Sequence, residues 1–269
     1  MKLTIDTNSA VLTTEDAGIC RDFPLYSREA FELISRQWVR VGWAVDYYFT
    51  LSWFGRPVLQ LPEDLIRLQE VVTALKPDVI VESGIYSGGS LLFHATLCEA
   101  SGKGRVIGID KHIADDTRDA IAQHRLSHRI EMIEGDSVAP ATVEKVHRLV
   151  RQICNKPGET VLVILDSHHS KEHVASELCA YAPLVTPGSC IVAADGIMRD
   201  LADVPGGDAG WLHDNPAAAA LEFASSHPEF ELRPPIWPFN KSRLHENITY
   251  WPDGWLWKKT GAGENSDGR

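Results

Sequence analysis

Five short aliphatic runs in the middle of the chain end at or beside an acidic residue, and those residues are where chemistry is expected. They are Asp78-Val-Ile-Val-Glu82, Arg105-Val-Ile-Gly-Ile-Asp110, Ile130-Glu-Met-Ile-Glu134 leading to Gly135-Asp136-Ser137, Val161-Leu-Val-Ile-Leu165 leading to Asp166, and Cys190-Ile-Val-Ala-Ala194 leading to Asp195. A solvated surface does not place an acid after every strand by chance. In open α/β sheets, ligands sit outside the carboxyl ends of the strands, where the strand order switches direction. Glu82, Gly84, Asp110, Asp136, Asp166 and Asp195 are therefore expected around one ligand.

The loop after the first run, Ser83-Gly-Ile-Tyr-Ser-Gly-Gly-Ser90, reads E-x-G-x-x-x-G-G when Glu82 is included. It is not the G-x-G-x-x-G that lets backbone approach a pyrophosphate. A carboxylate two residues before the first glycine repels a diphosphate and suits a cationic ligand. Asp110 ends the second strand, where an acid accepts hydrogen bonds from ribose hydroxyls. A nucleoside that carries positive charge in place of phosphate describes S-adenosylmethionine (SAM). The expected cofactor contacts are Glu82, Gly84, Tyr86, Ser87, Gly88, Ser90, Asp110, Lys111, Asp136, Ser137 and Asp166. A nicotinamide-linked oxidoreductase is the competing enzyme class, disfavoured by the glycine spacing and by Glu82.

Methylating a hydroxyl needs the oxygen at least partly deprotonated, by a base or with help from a metal. His168 and His169 stand directly after Asp166 at the start of a helix, and position slightly favours His168 as the base. The catalytic candidates are His168, His169 and Asp166. Asp166 and Asp195 end neighbouring strands and can converge on a hard divalent cation of the Mg²⁺ kind. His169 and His173 are four residues apart, but there is no H-E-x-x-H arrangement to support zinc. N-methylation, which needs less base assistance, stays open beside O-methylation.

These residues need a scaffold. Strands without alternation, separated by helices, mean a parallel sheet covered on both faces. Helices are expected from Ser27 to about Ser52, at Pro62–Leu75, after the Ser83–Ser90 loop through Glu99, at Asp115–Gln123, about Ala141–Asn155, Lys171–Tyr181 and Asn215–Ser226. Phe230–Arg233 reads as an edge strand. Thr249–Trp251 and Trp255–Trp257 read as a hairpin around Pro252-Asp-Gly254. Residues 1–25 read as a flexible arm. Three regions follow: 1–75, an arm and helices for capping or oligomer contacts; 76–259, the cofactor domain; and 260–269, a disordered tail.

Composition narrows the classes. The chain has 269 residues, with 26 basic against 37 acidic residues and a net charge of −11, which argues against a nucleic-acid-coating surface. No apolar run approaches the length of a membrane span, and Met1–Cys20 lacks a signal-peptide core. Five cysteines without C-x-x-C spacing suit reduced thiols in a cytoplasmic protein. Of the 22 aromatic residues, only Phe93 and Tyr181 lie between residues 91 and 210. The flanks, with Trp38, Tyr47, Tyr48, Trp53, Trp237, Trp251, Trp255 and Trp257, either pack over the sheet or line an acceptor pocket. Arg56, Lys241 and Arg243 are candidates to read an acidic group on the acceptor.

Taken together, Trp53-Phe-Gly-Arg-Pro-Val-Leu-Gln60, Pro62, Gln69-Glu70, Lys76–Gly84, Gly88-Gly89-Ser90 and Val106–Asp110 resemble the cephalosporin hydroxylase/rhamnosyl O-methyltransferase family. Ile133-Glu-Gly135, Leu165-Asp-Ser-His-His169, His173-Val174, Tyr181-Ala-Pro-Leu-Val185, Asn215-Pro216, His227–Phe230 and Pro252-Asp-Gly254 extend the likeness over roughly residues 50–259. The resemblance implies a Rossmann-like class I methyltransferase fold, SAM as cofactor, a saccharide or natural-product hydroxyl as acceptor, and a homo-oligomer. It also implies a metal held by acids after these strands, with Glu-Asp after the fifth. Here that pair is Ala194-Asp195, one carboxylate short, and Asp200 or water are candidates for the missing ligand. The missing carboxylate keeps a third class open, a catalytically silent SAM-binding accessory subunit.

Overall fold

The computed structural model describes residues 1–260, so the tail expected at 261–269 lies outside the described residues. The first 25 residues are not an irregular arm. Strands β1 (Lys2–Asp6), β2 (Val11–Asp16) and β3 (Ile19–Pro24) form an antiparallel meander in that order. Its second turn is the two-residue loop Ala17-Gly18, with both φ angles positive, closing on the pair Asp16–Ile19. That backbone twist matches the flanking strands. In the first turn the Asp6 side chain accepts hydrogen bonds from the amides of Asn8 and Ser9.

Helix α1 (Arg28–Ala44) starts at Ser27, whose hydroxyl accepts from the Ala30 amide, and stops eight residues short of the expected end. Asp46 turns left-handed there, and Tyr47–Thr50 continues as a 3₁₀ turn. A small hairpin of β4 (Ser52–Trp53) and β5 (Arg56–Pro57) follows, then α2 (Pro62–Leu75) with proline at its first turn.

The main sheet contains β6 (Val79–Ser83), β7 (Arg105–Asp110), β8 (Ile130–Glu134), β9 (Val161–Leu165), β10 (Cys190–Ala193), β11 (Phe230–Leu232) and β12 (Trp255–Lys258). Their order is β11-β12-β10-β9-β6-β7-β8, parallel from β10 to β8. Helices α3 (Gly89–Ala100) and α4 (Asp115–Gln123) join α2 on one face. Helices α5 (Pro140–Ile153), α6 (Lys171–Tyr181) and α7 (Pro216–Ser226) cover the other. Two aliphatic clusters result, one containing Leu68, Val72, Ile80 and Leu91, the other Val81, Ile107, Val146 and Leu178. Both faces are dry, which is why the central strands read as unbroken apolar runs. The order reverses between β6 and β9, placing the ligand-binding crevice at their carboxyl ends.

The hairpin expected at 249–257 is corrected. Trp255–Lys258 is a strand, but it runs antiparallel between β10 and β11 and does not pair with Thr249–Trp251. The Thr249 hydroxyl and Tyr250 amide instead donate to the buried carboxylate of Asp64. The turn at Gly254 packs so closely on Ala193 that a Cβ there would lie 2.3 Å from its carbonyl oxygen.

Candidate active site

Two adjoining clefts open at the carboxyl ends of the parallel strands. One, of about 550 Å³, is lined by Gly84, Asp110, Lys111, Asp136, Ser137, Ser167, His168 and His173, among others. The second, of about 480 Å³, has Gln60, Asp166, His169 and Asp195 beside the rings of Trp43, Tyr48, Phe49, Trp211 and Tyr250. Gly84, Asp110 and Ser167 line both, so the clefts share a wall.

That wall is built by the glycine loop. Asp110 Oδ2 accepts from the amides of Ile85 (3.0 Å) and Tyr86 (3.1 Å), and Oδ1 accepts from the His112 amide (3.1 Å). The acid that ends β7 therefore fixes the loop that ends β6. Gly84 has φ +81°, and a Cβ on it would stand 1.9 Å from the carbonyl oxygen of Asp166. Arg56 ties the β4–β5 hairpin to the same loop: Nε donates to the Ser87 carbonyl (2.7 Å), and Nη2 to Thr117 Oγ1 (2.8 Å).

Of the expected cofactor contacts, Gly84, Asp110, Lys111, Asp136 and Ser137 line the larger cleft, and Tyr86, Ser90 and Asp166 line the smaller. Glu82, Ser87 and Gly88 line neither. Glu82 is fully buried under the first turn of α3, where Oε2 accepts from Ser90 Oγ (3.0 Å) and Oε1 lies 3.3 Å from His94 Nε2. With both faces of β6 covered, its side chain braces the first turn of α3 from below.

The histidine preference also changes. His168 lies on the larger cleft with Nδ1 3.0 Å from Ser170 Oγ. His169 lies on the smaller one, with Nε2 3.5 Å from Asp166 Oδ1 and Nδ1 3.4 Å from Asp195 Oδ2. Asp195 adopts a left-handed backbone (φ +57°), a conformation that costs a non-glycine residue of order 1–3 kcal/mol and tends to mark functional positions. Burial alone would push the His169 pKa down, but Asp195 and Asp166 outweigh it and lift it to about 9. His173, four residues on, turns away towards Glu177 and shares no ligand locus with His169.

The donor set here suits a cation. Ligand atoms of Asp166, His169 and Asp195 lie within 4.8 Å of one another, so a histidine and not a further strand-end carboxylate completes the trio. Asp200 does not fill that place, since its side chain lies by Arg199. Gln60 is the functional candidate the sequence reading passed over, although it sits in a motif used for the resemblance. It is 2% exposed, its Nε2 donates to Asp166 Oδ2 (3.0 Å), and its Oε1 is buried with no hydrogen-bond partner. Only an unsatisfied acceptor beside a conspicuous carboxylate reveals it, and that is a three-dimensional signal.

The aromatic flanks divide between core and cleft. Trp251 and Trp255 are buried in the core, while Tyr48 lines the smaller cleft with four rings not singled out beforehand. None of the three candidate cations does: Arg56 is engaged as above, Lys241 lies 5.8 Å from the Phe239 ring in a separate cavity, and Arg243 is not among the lining residues.

A doubly wound sheet with an acid-ended β7, a glycine turn after β6 and two clefts over the switch point defines the class I methyltransferase fold. The CmcI structure with Mg and SAM shares it at 19% identity and TM-score 0.51, over 79% of this chain and 78% of that one. A CmcI apo structure matches equally, at 19% and 0.51 over 78% and 76%. The profile described as Rhamnosyl O-methyltransferase/CmcI matches residues 45–259, and the chain belongs to that family. Rhamnosyl O-methyltransferase of Mycobacterium leprae is 33% identical over 147 residues, 54% of this chain and 60% of that protein. Its Mycobacterium tuberculosis counterpart is 29% identical over 167 residues, 60% of this chain and 64% of that protein. The match thus spans somewhat under two thirds of the curated relatives.

Proposed function

We propose that this chain is a SAM-dependent O-methyltransferase acting on a hydroxyl of an uncharged sugar or glycoside. The observation that carries the reading is His169, held between Asp166 and Asp195 on the aromatic-lined cleft that adjoins a cofactor-sized one. SAM, when bound, supplies an electrophilic methyl group on sulfur, and the methyl–sulfur bond breaks as the methyl–oxygen bond forms. Lys111, Asp136 and Ser137 belong to the nucleoside side of the larger cleft, with Asp110 at the ribose. Gly84 lets backbone approach closely where the clefts meet. His169 takes the acceptor proton, and Asp166 and Asp195 stabilise the imidazolium that results. Holding acceptor and base in register contributes several kcal/mol, and the base itself about 10²–10⁴ in rate.

A Mg²⁺-type cation would be held by Asp166 and Asp195, where it would lower the pKa of the acceptor hydroxyl. The acceptor class follows from the lining and from the relatives' names. The smaller cleft carries Asp110, Asp166 and Asp195 and no lysine or arginine, so a phosphate or carboxylate on the acceptor meets like charge. Its rings offer faces for the apolar side of a sugar.

Methyl-labelled SAM offered with a panel of neutral glycosides, uronates and sugar nucleotides tests this, with and without EDTA. Transfer to neutral glycosides is the expected result. Calorimetry showing no affinity for SAM would overturn the cofactor assignment. Binding without transfer to any acceptor would instead support an accessory role, and transfer unaffected by EDTA would remove the cation and leave His169 in place.

The N-terminal segment serves in this reading as a cap and a contact surface. Trp43, Tyr48, Phe49 and Pro57–Gln60 already wall the smaller cleft. The outer stripe of α1, Phe31, Trp38, Val41 and the following Val45, is exposed, as is Tyr26. We assign that stripe to contact with a second copy of the chain. Light scattering after size exclusion should give a multiple of 29.8 kDa that falls to the monomer in Val41→Glu; a monomeric wild type would end the idea. Among the described residues no helix is long and apolar enough to cross a membrane.

A further inference from the structure

Behind the larger cleft lies a carboxylate that no part of the reaction above uses. Glu177, on the second turn of α6, is fully buried and does not line the cleft. Its Oε1 accepts from Ser167 Oγ at 2.7 Å and lies 3.6 Å from His173 Nε2. The same histidine nitrogen is 3.2 Å from Ser167 Oγ and 3.1 Å from Ser137 Oγ. Ser167 follows β9 and Ser137 follows β8, so one carboxylate, through one histidine, joins the turns after two parallel strands. Ser137, Ser167 and His173 all line the cleft.

A stabilising role alone is a poor explanation for this arrangement. The second oxygen, Glu177 Oε2, is buried with no hydrogen-bond partner, as is Ser83 Oγ. A buried, half-satisfied carboxylate is a weak contributor to stability, and apolar replacements of such groups are often neutral. Burial pushes the Glu177 pKa up, yet hydrogen bonds from His173 and the neighbouring serines outweigh it and hold it below the ordinary glutamate range. The group is anionic, and it keeps its partners oriented.

We propose that Glu177 is a positioning residue of the cofactor cleft: it holds Ser167 and His173 in one hydrogen-bonded array, and through His173 it holds Ser137. Two strand-end turns then present a fixed wall to the nucleoside half of SAM and of its product S-adenosylhomocysteine (SAH). Glu177 touches neither ligand and acts only through residues that do. The inference rests on the cofactor reading above and extends it to a residue outside both clefts.

Calorimetry with SAH and with adenosine on the full 269-residue chain tests it. Glu177→Gln keeps the shape and removes the charge, and should weaken SAH by about tenfold, the scale of a hydrogen bond to a charged group. Adenosine should weaken by the same factor, because the array faces the part the two ligands share. The double variant Glu177→Gln with Ser167→Ala should lose no more than the worse single variant, since both break one array. A merely structural glutamate would not give that non-additivity in ligand affinity. A folded Glu177→Gln that binds SAH normally overturns the proposal, as do additive losses or an effect on SAH without one on adenosine. If Glu177→Gln fails to fold, Ser167→Ala, His173→Asn and their double variant carry the same test, with additive losses again decisive against it. A wild-type chain that binds neither SAM nor SAH overturns the cofactor reading itself, a result distinct from any of these.

Discussion

Replacing His169 with glutamine slows methyl transfer by about 10²–10⁴-fold, the range a positioned general base supplies, while SAH binds as it does to the wild type. The same change at His168 has a small effect on rate, since that ring faces the other cleft. The pH profile carries the second signature. A base must be neutral to accept a proton, and burial is outweighed by Asp195 and Asp166 in lifting the His169 pKa to about 9. With EDTA present and no cation on Asp166 and Asp195, the transfer rate at subsaturating SAM and acceptor therefore rises with pH and levels off only above about 9. Asp195→Asn removes the largest single contribution that raises it, so the rising limb moves down towards the ordinary histidine value of 6.5. A wild-type rate in His169→Gln, or a limb that stays in place in Asp195→Asn, would show that another group takes the proton.

Gly84→Ala has the largest expected effect on the protein itself. At φ +81° an L side chain is strained by about 1–2 kcal/mol. Its Cβ would also stand 1.9 Å from the Asp166 carbonyl oxygen, against backbone that cannot swing aside. Relief requires the turn after β6 to part from the turn after β9, and overpacking of this kind costs about 1–3 kcal/mol more. Because Gly84 lines both clefts, the separation also deforms the junction where the proposed donor and acceptor sites adjoin. Urea unfolding should show the loss, and calorimetry should find SAM binding weakened beyond detection. A variant with unchanged midpoint and affinity would mean the close approach is not needed.

The parallel sheet was legible because its strands are covered on both faces, leaving unbroken runs such as Val161–Leu165 between helices with clear boundaries. The N-terminal meander was not, because its outer strands are largely exposed and its tight turn uses Ala17-Gly18 and not the usual asparagine–glycine pair. The misplaced hairpin has a different origin. Thr249 and Tyr250 are drawn to Asp64, some 185 residues earlier, and no local pattern encodes that attraction.

The site shows the same division. Asp166 and Asp195 could be named from strand ends alone. Which neighbouring histidine joins them depends on the direction of one turn, and for Glu82 it was the covering of β6 by α3 that decided. Gln60 and Glu177 are invisible to spacing arguments because each is significant only for what it touches.

The fork of Arg56 on Ser87 and Thr117 has a consequence for substrate choice. The hairpin that leads into the acceptor wall is riveted to the cofactor loop, whereas Trp43, Tyr48, Phe49 and Trp211 stand on segments outside the sheet. In the proposed reading, substitutions among those rings change which acceptor fits, while the rivet keeps the hairpin fixed to the glycine loop.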